Sequence, residues 1–308
     1  MTVSADVTRA FPVKGFPWRR RGVLVPTGDR RTAALGVCMF TASKRTVLAA
    51  QTASFWLVRV AGTRVLPGRS QQWTAPFATD LWPALVAEWR SRFGAFDAMA
   101  VYQRRQAERD GLTLLLTRKG AGVAIVKVRT EGASLQREQQ ALVAAAGARH
   151  ASFRVPTSLG SGSVGEALHW SAQTSVFERP HHPVLEAPEG LFEDVRACLE
   201  RIPGHPARTA DLELAHNDLT PWNLRRDHRG RVWLYDWEDW GTEVAGSDAV
   251  YFHATAAALT GRPMPAGLSP AAIERWRRVV LARESHTPAD IALNERIRSA
   301  LDHAGESC

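Results

Sequence analysis

Leu214–Gly241 reads LAHNDLTPWNLRRDHRGRVWLYDWEDWG, and the spacing of its polar residues bears on fold and chemistry together. His216, Asp218 and Asn223 stand in the pattern H-x-D-x-x-x-x-N. A second acid, Asp236, comes 13 residues after Asn223, at the end of the apolar run Val232–Tyr235. Phosphoryl transfer from a nucleotide needs these residue types: one carboxylate to receive or orient a hydroxyl proton, and an amide plus another carboxylate to hold magnesium. Pro221 lies between Asp218 and Asn223. Proline fixes its own φ and pushes the residue before it out of the helical region, so the spacing predicts a tight loop whose polar tips face one cavity. Leu224–Tyr235 reads as a hairpin. Asp227-His228-Arg229-Gly230 supplies turn chemistry, and Val232–Tyr235 is β-branched and aromatic. A hairpin returns the chain to where it left, which brings Asp236 back beside Asn223, as a two-ligand magnesium site needs. Each of these residues alone is an ordinary turn residue; the joint spacing carries the reading.

His216-Asn217-Asp218-Leu219, Thr220-Pro221-Trp222-Asn223 and Asp236-Trp237-Glu238 resemble the catalytic and metal-binding loops of the aminoglycoside phosphotransferase and choline kinase-like enzymes, small-molecule relatives of protein kinases. That resemblance implies an α+β, two-lobed protein kinase-like fold, with an antiparallel-sheet N-lobe and a mainly helical C-lobe. It implies Asp218 as catalytic base, Asn223 and Asp236 as magnesium ligands, and His216 as loop support. It also implies ATP (GTP possible) as phosphate donor, Mg2+ as cofactor and a small-molecule hydroxyl as acceptor.

A kinase fold needs an upstream strand lysine for the α- and β-phosphates, paired with a helix glutamate. Gly122–Val128 is a short apolar strand carrying Lys127, one of only four lysines in a chain with 35 arginines. A lysine where arginine is the ordinary cation points to a compact charge being required; a strand-end lysine reaching to solvent is the bland alternative. Ser134–Gly147 reads as a helix, with Leu135, Leu142, Val143 and Ala146 as its apolar stripe. Glu138 lies on that stripe. A carboxylate on a packed face wants a cation, and Lys127 is the candidate. Strands Ala98–Gln103 and Leu112–Arg118 precede them, joined by a loop with one glycine, Gly111, where protein kinases are glycine-rich. Ala167–Trp170 and Gln173–Phe177 are read as finishing an antiparallel sheet. Val176–Arg179 is then the hinge that the resemblance implies for adenine, with Val176 and Glu178 as nucleotide-binding positions.

Pro180-His181-His182-Pro183 reads as a loop, and no further ligand spacing supports a metal there. Leu191–Arg201 is amphipathic, and Leu212–Ala215 leads into the catalytic loop. Ser247 or Asp248 is placed to cap the helix Val250–Leu259; the resemblance also implies that Asp248 ties the metal loop to the C-terminal helices. Ala271–Arg283 and Pro288–Ala304 are two more helices by periodicity. Glu238, Asp239 and Glu243, with Trp222, Trp237 and Trp240, leave a cationic acceptor open, and a neutral sugar equally so.

The resemblance implies a nucleotide-binding N-lobe over 96–178 and a C-lobe over 179–308, with residues 1–95 expected as an N-terminal extension packed on the small lobe. Within the extension, Thr32–Thr41 reads as a strand. Lys44–Val60 reads as a helix packing through Val47, Leu48, Phe55 and Leu57. Ala78–Phe93 reads as a helix packing through Leu81, Leu85, Val86 and Trp89. Residues 1–120 hold 19 Lys/Arg and 7 Asp/Glu, against 20 and 24 in residues 121–308, within an overall net charge of +8. A basic part of that size can meet a polyanion, but no nucleic-acid motif accompanies it, so nucleic acid is not the expected partner. Arg19-Arg20-Arg21 hints at an export signal, but Gly22–Arg31 is too short and polar for an h-region. No run approaches about 20 apolar residues, so no membrane span is expected. Cys38, Cys198 and Cys308 are odd in number and far apart, which points to free thiols and a cytoplasmic setting. Oligomeric state is not legible. A nucleotide-binding pseudokinase of the same fold, and a basic polyanion-binding module, stay open beside the kinase.

Overall fold

The computed structural model describes residues 10–17, 22–77, 80–103, 111–148, 150–205, 209–284 and 288–306. The chain divides into two compact units: Met1–Gln139 with Pro156–His181, and Gln140–Val155 with His182–Cys308. The first is built on an antiparallel sheet and the second is mainly helical. This is the α+β division expected from the sequence, an antiparallel sheet in one unit and mainly helices in the other.

Eight strands make the sheet of the first unit: β1 (Phe11–Phe16), β2 (Val23–Pro26), β3 (Gln71–Trp73), β4 (Ala98–Gln103), β5 (Leu112–Arg118), β6 (Ala121–Arg129), β7 (Ser158–Val164) and β8 (Leu168–Thr174). Their order is β3-β1-β2-β4-β5-β6-β8-β7. Successive side chains of a strand point to opposite faces, and the central strands are apolar in both phases. Met99, Val101, Leu114, Leu116, Ala124 and Val126 pack with Trp82, Leu85 and Trp89 of helix α3 (Leu81–Phe93). Ala100, Leu115 and Ile125 pack with Ala33, Val37 and Phe55, which belong to helices α1 (Arg30–Cys38) and α2 (Arg45–Ala61). Both faces are therefore covered by segments that precede β4.

Residues before 95 thus join the sheet as well as packing on it, because β2 pairs with β4 through Val23↔Tyr102 and Leu24↔Val101. Thr32–Thr41, expected as a strand, is mostly helix α1. The Asp29 carboxylate accepts from Arg31 N at 2.9 Å and from Thr32 Oγ1 at 2.6 Å, capping the helix start. A short apolar run does not distinguish a buried helix from a buried strand. Gly36 decides its seat. A Cβ there would lie 2.7 Å from Ala100 Cβ and 2.8 Å from Val25 Cγ1, so only glycine lets α1 approach the sheet this closely. In α2, Leu48 and Phe55 are buried as expected, but Val47 and Leu57 are exposed; Gln51 and Val58 take their places.

The last hairpin of the sheet is also displaced from expectation. Ala167–Trp170 and Gln173–Phe177 are not two strands: β8 runs unbroken through Leu168–Thr174, between β6 and the Gly- and Ser-rich β7. Helix α4 (Ala133–Ala146) follows β6. Leu135 and Leu142 are buried in it, whereas Val143 and Ala146 are exposed and Ala141 and Ala145 complete the packed face.

The second unit comprises β9 (His182–Pro183), α5 (Leu191–Leu199), β10 (Leu212–Ala215), β11 (Leu224–Arg226), β12 (Val232–Leu234), β13 (Gly241–Val244), α6 (Ser247–Thr260), α7 (Pro270–Ala282) and α8 (Pro288–Glu306). One core gathers α5 with the β11–β12 hairpin and Trp237. Another joins α6, α7 and α8 through Tyr251, Trp276, Ile297 and Leu301. Pro180-His181-His182-Pro183, expected as a loop, is not wholly one: His182 and Pro183 pair with Arg226 and Arg225. Cys38 and Cys198 are buried free thiols, and Cys308 lies outside the described residues. Among the described residues no helix is long and apolar enough to cross a membrane.

Candidate active site

The β11–β12 hairpin sets the geometry of the polar residues in the second unit. Its register pairs Leu224 with Leu234 and Arg226 with Val232. Asp227 holds the turn. Its Oδ1 accepts from Arg229 N at 2.8 Å and Arg231 N at 3.0 Å, and its Oδ2 from Arg231 Nε at 2.7 Å and Trp233 Nε1 at 3.0 Å. Burial works to raise this carboxyl, but those donors outweigh it and hold Asp227 well below the usual carboxylate range. Tyr235 N donates to Asn223 O at 3.0 Å and carries the ladder one step past the strands. Asn223 is thus opposite Tyr235, and Asp236 is the next residue. At Asp236 the backbone leaves the ladder in a left-handed conformation, φ +62°.

Asp218 and Asn223 are in direct contact. Asn223 Nδ2 donates to Asp218 O at 2.9 Å and to Asp218 Oδ2 at 2.8 Å. Thr220 O accepts from the N–H groups of Asn223 and Leu224, so the chain turns tightly at Pro221. Committing the amide nitrogen to Asp218 leaves Asn223 Oδ1 as the atom for a cation. An amide oxygen and the Asp236 carboxylate are hard oxygen donors of the kind magnesium takes, and the residues present fit that ion. Desolvation raises the Asp218 carboxyl to about 7; the Asp236 charge acts in the same direction, Arg283 opposes it, Asp239 adds to it and the Asn223 hydrogen bond opposes it.

His216 is fully buried and braces the loop. Asp218 N donates to His216 Nδ1 at 3.3 Å, which leaves Nε2 to carry the proton and donate to Tyr235 O at 3.0 Å. One imidazole therefore fastens the loop that carries Asp218 to the strand that delivers Asp236. Its ring also packs on Trp237, 4.7 Å between centroids.

Asp248 does not cap its own helix, and neither does Ser247: α6 begins after Gly246, whose left-handed backbone makes no side-chain cap bond. The Asp248 carboxylate instead accepts from His216 N at 2.7 Å and Asn217 N at 3.0 Å. The tie runs to the residues just before Asp218, where Asn217 is left-handed at φ +64°. Burial pushes Asp248 up to about 7 while these two donors act against it. Asn217, Asp236 and Lys119 are the non-glycine residues with positive φ among those described. Two of the three lie in the segments singled out from the sequence, and strained backbone of this kind collects at functional sites.

In the first unit, Lys127 Nζ donates to Glu138 Oε1 at 2.6 Å, with both side chains buried. Ser171 stands opposite Lys127 in the β6–β8 register, and its hydroxyl donates to Glu138 Oε2 at 3.1 Å. Sequence reasoning missed Ser171, since only the cross-strand register brings it there. Val176 and Glu178 follow β8, the former half-buried and the latter exposed. The segment is held by Phe177, whose ring is 5.3 Å from that of His181, and by Arg179, 5.2 Å above the Trp56 ring of α2. Of the loop at 104–111, residues 104–110 lie outside the described residues.

No family model matches the sequence, and no curated protein matches it. Solved structures do. An amicoumacin kinase, hAmiN, in complex with AMP-PNP, Ca2+ and Ami is 10% identical over 71% of this chain and 93% of its own, with a TM-score of 0.45. The aminoglycoside phosphotransferase APH(4)-Ia is 13% identical over 73% of this chain and 91% of its own, at 0.38. Aminoglycoside 2'-phosphotransferase-IIIa in its GDP complex is 11% identical over 72% and 89%, at 0.41. With TM-scores below 0.5 these are distant likenesses.

Proposed function

We propose that this protein transfers the γ-phosphate of a nucleoside triphosphate, ATP or GTP, to a hydroxyl of a small molecule in the cytoplasm. The observation that carries this is the Asp218–Asn223–Asp236 constellation: an amide locked to one carboxylate, with a second carboxylate delivered beside it by a hairpin. Asp218 orients the acceptor hydroxyl and receives its proton. The acceptor oxygen forms a bond to the γ-phosphorus as the bond to the β–γ bridging oxygen breaks, and the nucleoside diphosphate leaves with that electron pair. Magnesium held by Asn223 Oδ1 and Asp236 would neutralise charge on the β- and γ-phosphate oxygens. Lys127, fixed by Glu138, binds the α- and β-phosphates, and the Val176–Glu178 backbone holds the base. Catalysis of this kind is placement and electrostatics.

The test is a thermal shift with ATP and with GTP, with and without magnesium, on wild type and Asp236→Ala. Stabilisation that requires both magnesium and Asp236 is expected. Asp218→Asn should keep the nucleotide shift and lose about 100-fold or more in turnover, the usual cost of a missing general base. The absence of any nucleotide shift in wild type refutes the assignment.

A further inference from the structure

The acceptor can be narrowed beyond its hydroxyl, because the second unit carries a cation beside Asp218 that phosphate transfer does not use. Arg283 follows α7, and its guanidinium carbon lies 5.0 Å from the centre of the Tyr251 ring and 5.8 Å from that of Trp276. These rings stack on each other with centroids 3.8 Å apart and 7° between planes. Both are buried, and Trp276 Nε1 donates to Ser247 O at 2.9 Å, so the platform is fixed. Arg283 Nη1 donates to the Tyr251 hydroxyl, the one hydrogen-bond partner its guanidinium has among the described residues. A guanidinium has more N–H donors than one phenol oxygen can take. Tyr251 lies on α6 about one turn beyond Asp248, whose carboxylate holds His216 N and Asn217 N, so the platform under Arg283 stands on the side of the loop that leads into Asp218. The Arg283 charge accordingly works to lower the Asp218 carboxyl, while Asp239 works to raise it.

Most of the acids that would suit a cationic acceptor are otherwise engaged, Asp239 being the one that stays with the groups around Asp218. Asp218 and Asp236 have their proposed roles. Arg275 grips Glu243, with Nε 3.1 Å from each carboxylate oxygen and Nη2 2.7 Å from Oε2. Glu238 is buried, and Trp237 is wholly buried core. What stands next to the base is a pre-oriented guanidinium on an aromatic platform. That arrangement limits the side-chain entropy lost on binding and presents a planar fork matched to anionic oxygens.

We infer that Arg283 binds an anionic oxygen group of the acceptor, a carboxylate or a phosphate, so that the substrate is a hydroxyl compound bearing an acid rather than an amino sugar or a choline-like amine. This rests on the phosphotransferase reading. The anionic group anchors at Arg283 while the hydroxyl reaches Asp218. The bonds made and broken are those of the γ-phosphate transfer above, with ATP as the co-reactant.

The test uses the full chain with magnesium and ATP, following ADP release. Glycerate, serine, homoserine, gluconate and glycerol 3-phosphate are compared with serinamide, glycerol, glucose, choline and an amino sugar. The carboxylates and the phosphate ester also tell the two anionic sources apart. At least one acid should be turned over, with its neutral counterpart about 10-fold or more poorer in kcat/KM. Arg283→Met should raise the acid's KM about 10- to 100-fold, as loss of a charged hydrogen bond does, with a much smaller change in kcat. Arg283→Lys should raise it less. Turnover of only neutral or cationic acceptors, or an unchanged KM in Arg283→Met, overturns the inference. So does a wild type that binds magnesium-nucleotide but turns over none of the acids. If wild type shows no magnesium-dependent nucleotide shift, the kinase reading itself has failed. Where Arg283→Met does not fold, the acid-against-neutral comparison on wild type decides alone.

Discussion

Replacing Asp248 should damage both the stability of the second unit and its chemistry, by amounts that follow from two hydrogen bonds. The carboxylate accepts from His216 N at 2.7 Å and from Asn217 N at 3.0 Å. His216 is fully buried, so in Asp248→Ala its N–H has no water to turn to, and the loss is about 2–3 kcal/mol. Asn217 is half-buried, and water recovers most of its bond, leaving about 1 kcal/mol. Against this, removing a carboxyl that burial pushes up to about 7 returns part of a desolvation cost. The net expectation is a destabilisation of about 2–3 kcal/mol for alanine. Asparagine keeps one oxygen for one N–H but turns its NH2 toward the other, and should cost roughly half as much. Turnover should fall about 10- to 100-fold in the alanine variant, since a small displacement of Asp218 is enough. Urea unfolding near pH 7.5, with ADP production on the same samples, measures both. The sign of the pH dependence is also fixed. With its folded pKa raised above 3.8, wild type loses stability relative to Asp248→Asn as pH climbs from about 4 to about 7, and the gap is constant above that. An alanine variant within about 0.5 kcal/mol of wild type, or an asparagine variant as damaged as alanine, would refute the hydrogen-bond account.

Three further outcomes are expected. Ser171→Ala removes the hydroxyl on Glu138 Oε2 while leaving the Lys127 pair on Oε1, and should weaken nucleotide affinity about 3- to 10-fold in titration calorimetry with about 1 kcal/mol lost in stability. Asp227→Asn sets an NH2 against the Arg231 and Trp233 donors and should cost about 2–4 kcal/mol near neutrality. Because the folded pKa of Asp227 is depressed, that stabilisation is present above about pH 4 and is lost as pH falls further, so melting curves of variant and wild type should converge on acidification. Gly36→Ala forces a methyl to within 3 Å of both Ala100 and Val25, and a melting scan should show about 1–3 kcal/mol of overpacking.

Much of this was legible where the sequence has one strong period and local turn chemistry. The strands Ala98–Gln103 and Leu112–Arg118 run with the bounds expected of them, and the hairpin from Leu224 closes as its Asp-His-Arg-Gly turn implies. The failures share a cause, which is that tertiary neighbours decide the outcome. Thr32–Thr41 is apolar without a clear period, and Asp29 and the seat of Gly36 make it a helix. Strand β7 is glycine and serine throughout its middle and reads as loop; pairing with β8 makes it a strand. At the candidate site, Asp218, Asn223 and Asp236 lie close in sequence and could be read as a group. Tyr251, Trp276 and Arg283 are spread over two helices and a helix end, and nothing local marks them. Asp248 looked like a cap because capping is a local property, whereas its true partners lie 32 and 31 residues upstream.

The way β2 lies against β4 bears on how the chain can be dissected. Strand β4 has β5 on one side and β2 on the other, and its apolar residues face helices on both sides. A fragment begun near residue 96 would bare a row of backbone N–H and C=O groups along β4, together with the oily surfaces that α1, α2 and α3 conceal. An uncovered margin of that length is a template on which other chains stack. The shortest stretch that contains every residue assigned a chemical role is therefore not a piece that should be expected to stay in solution by itself.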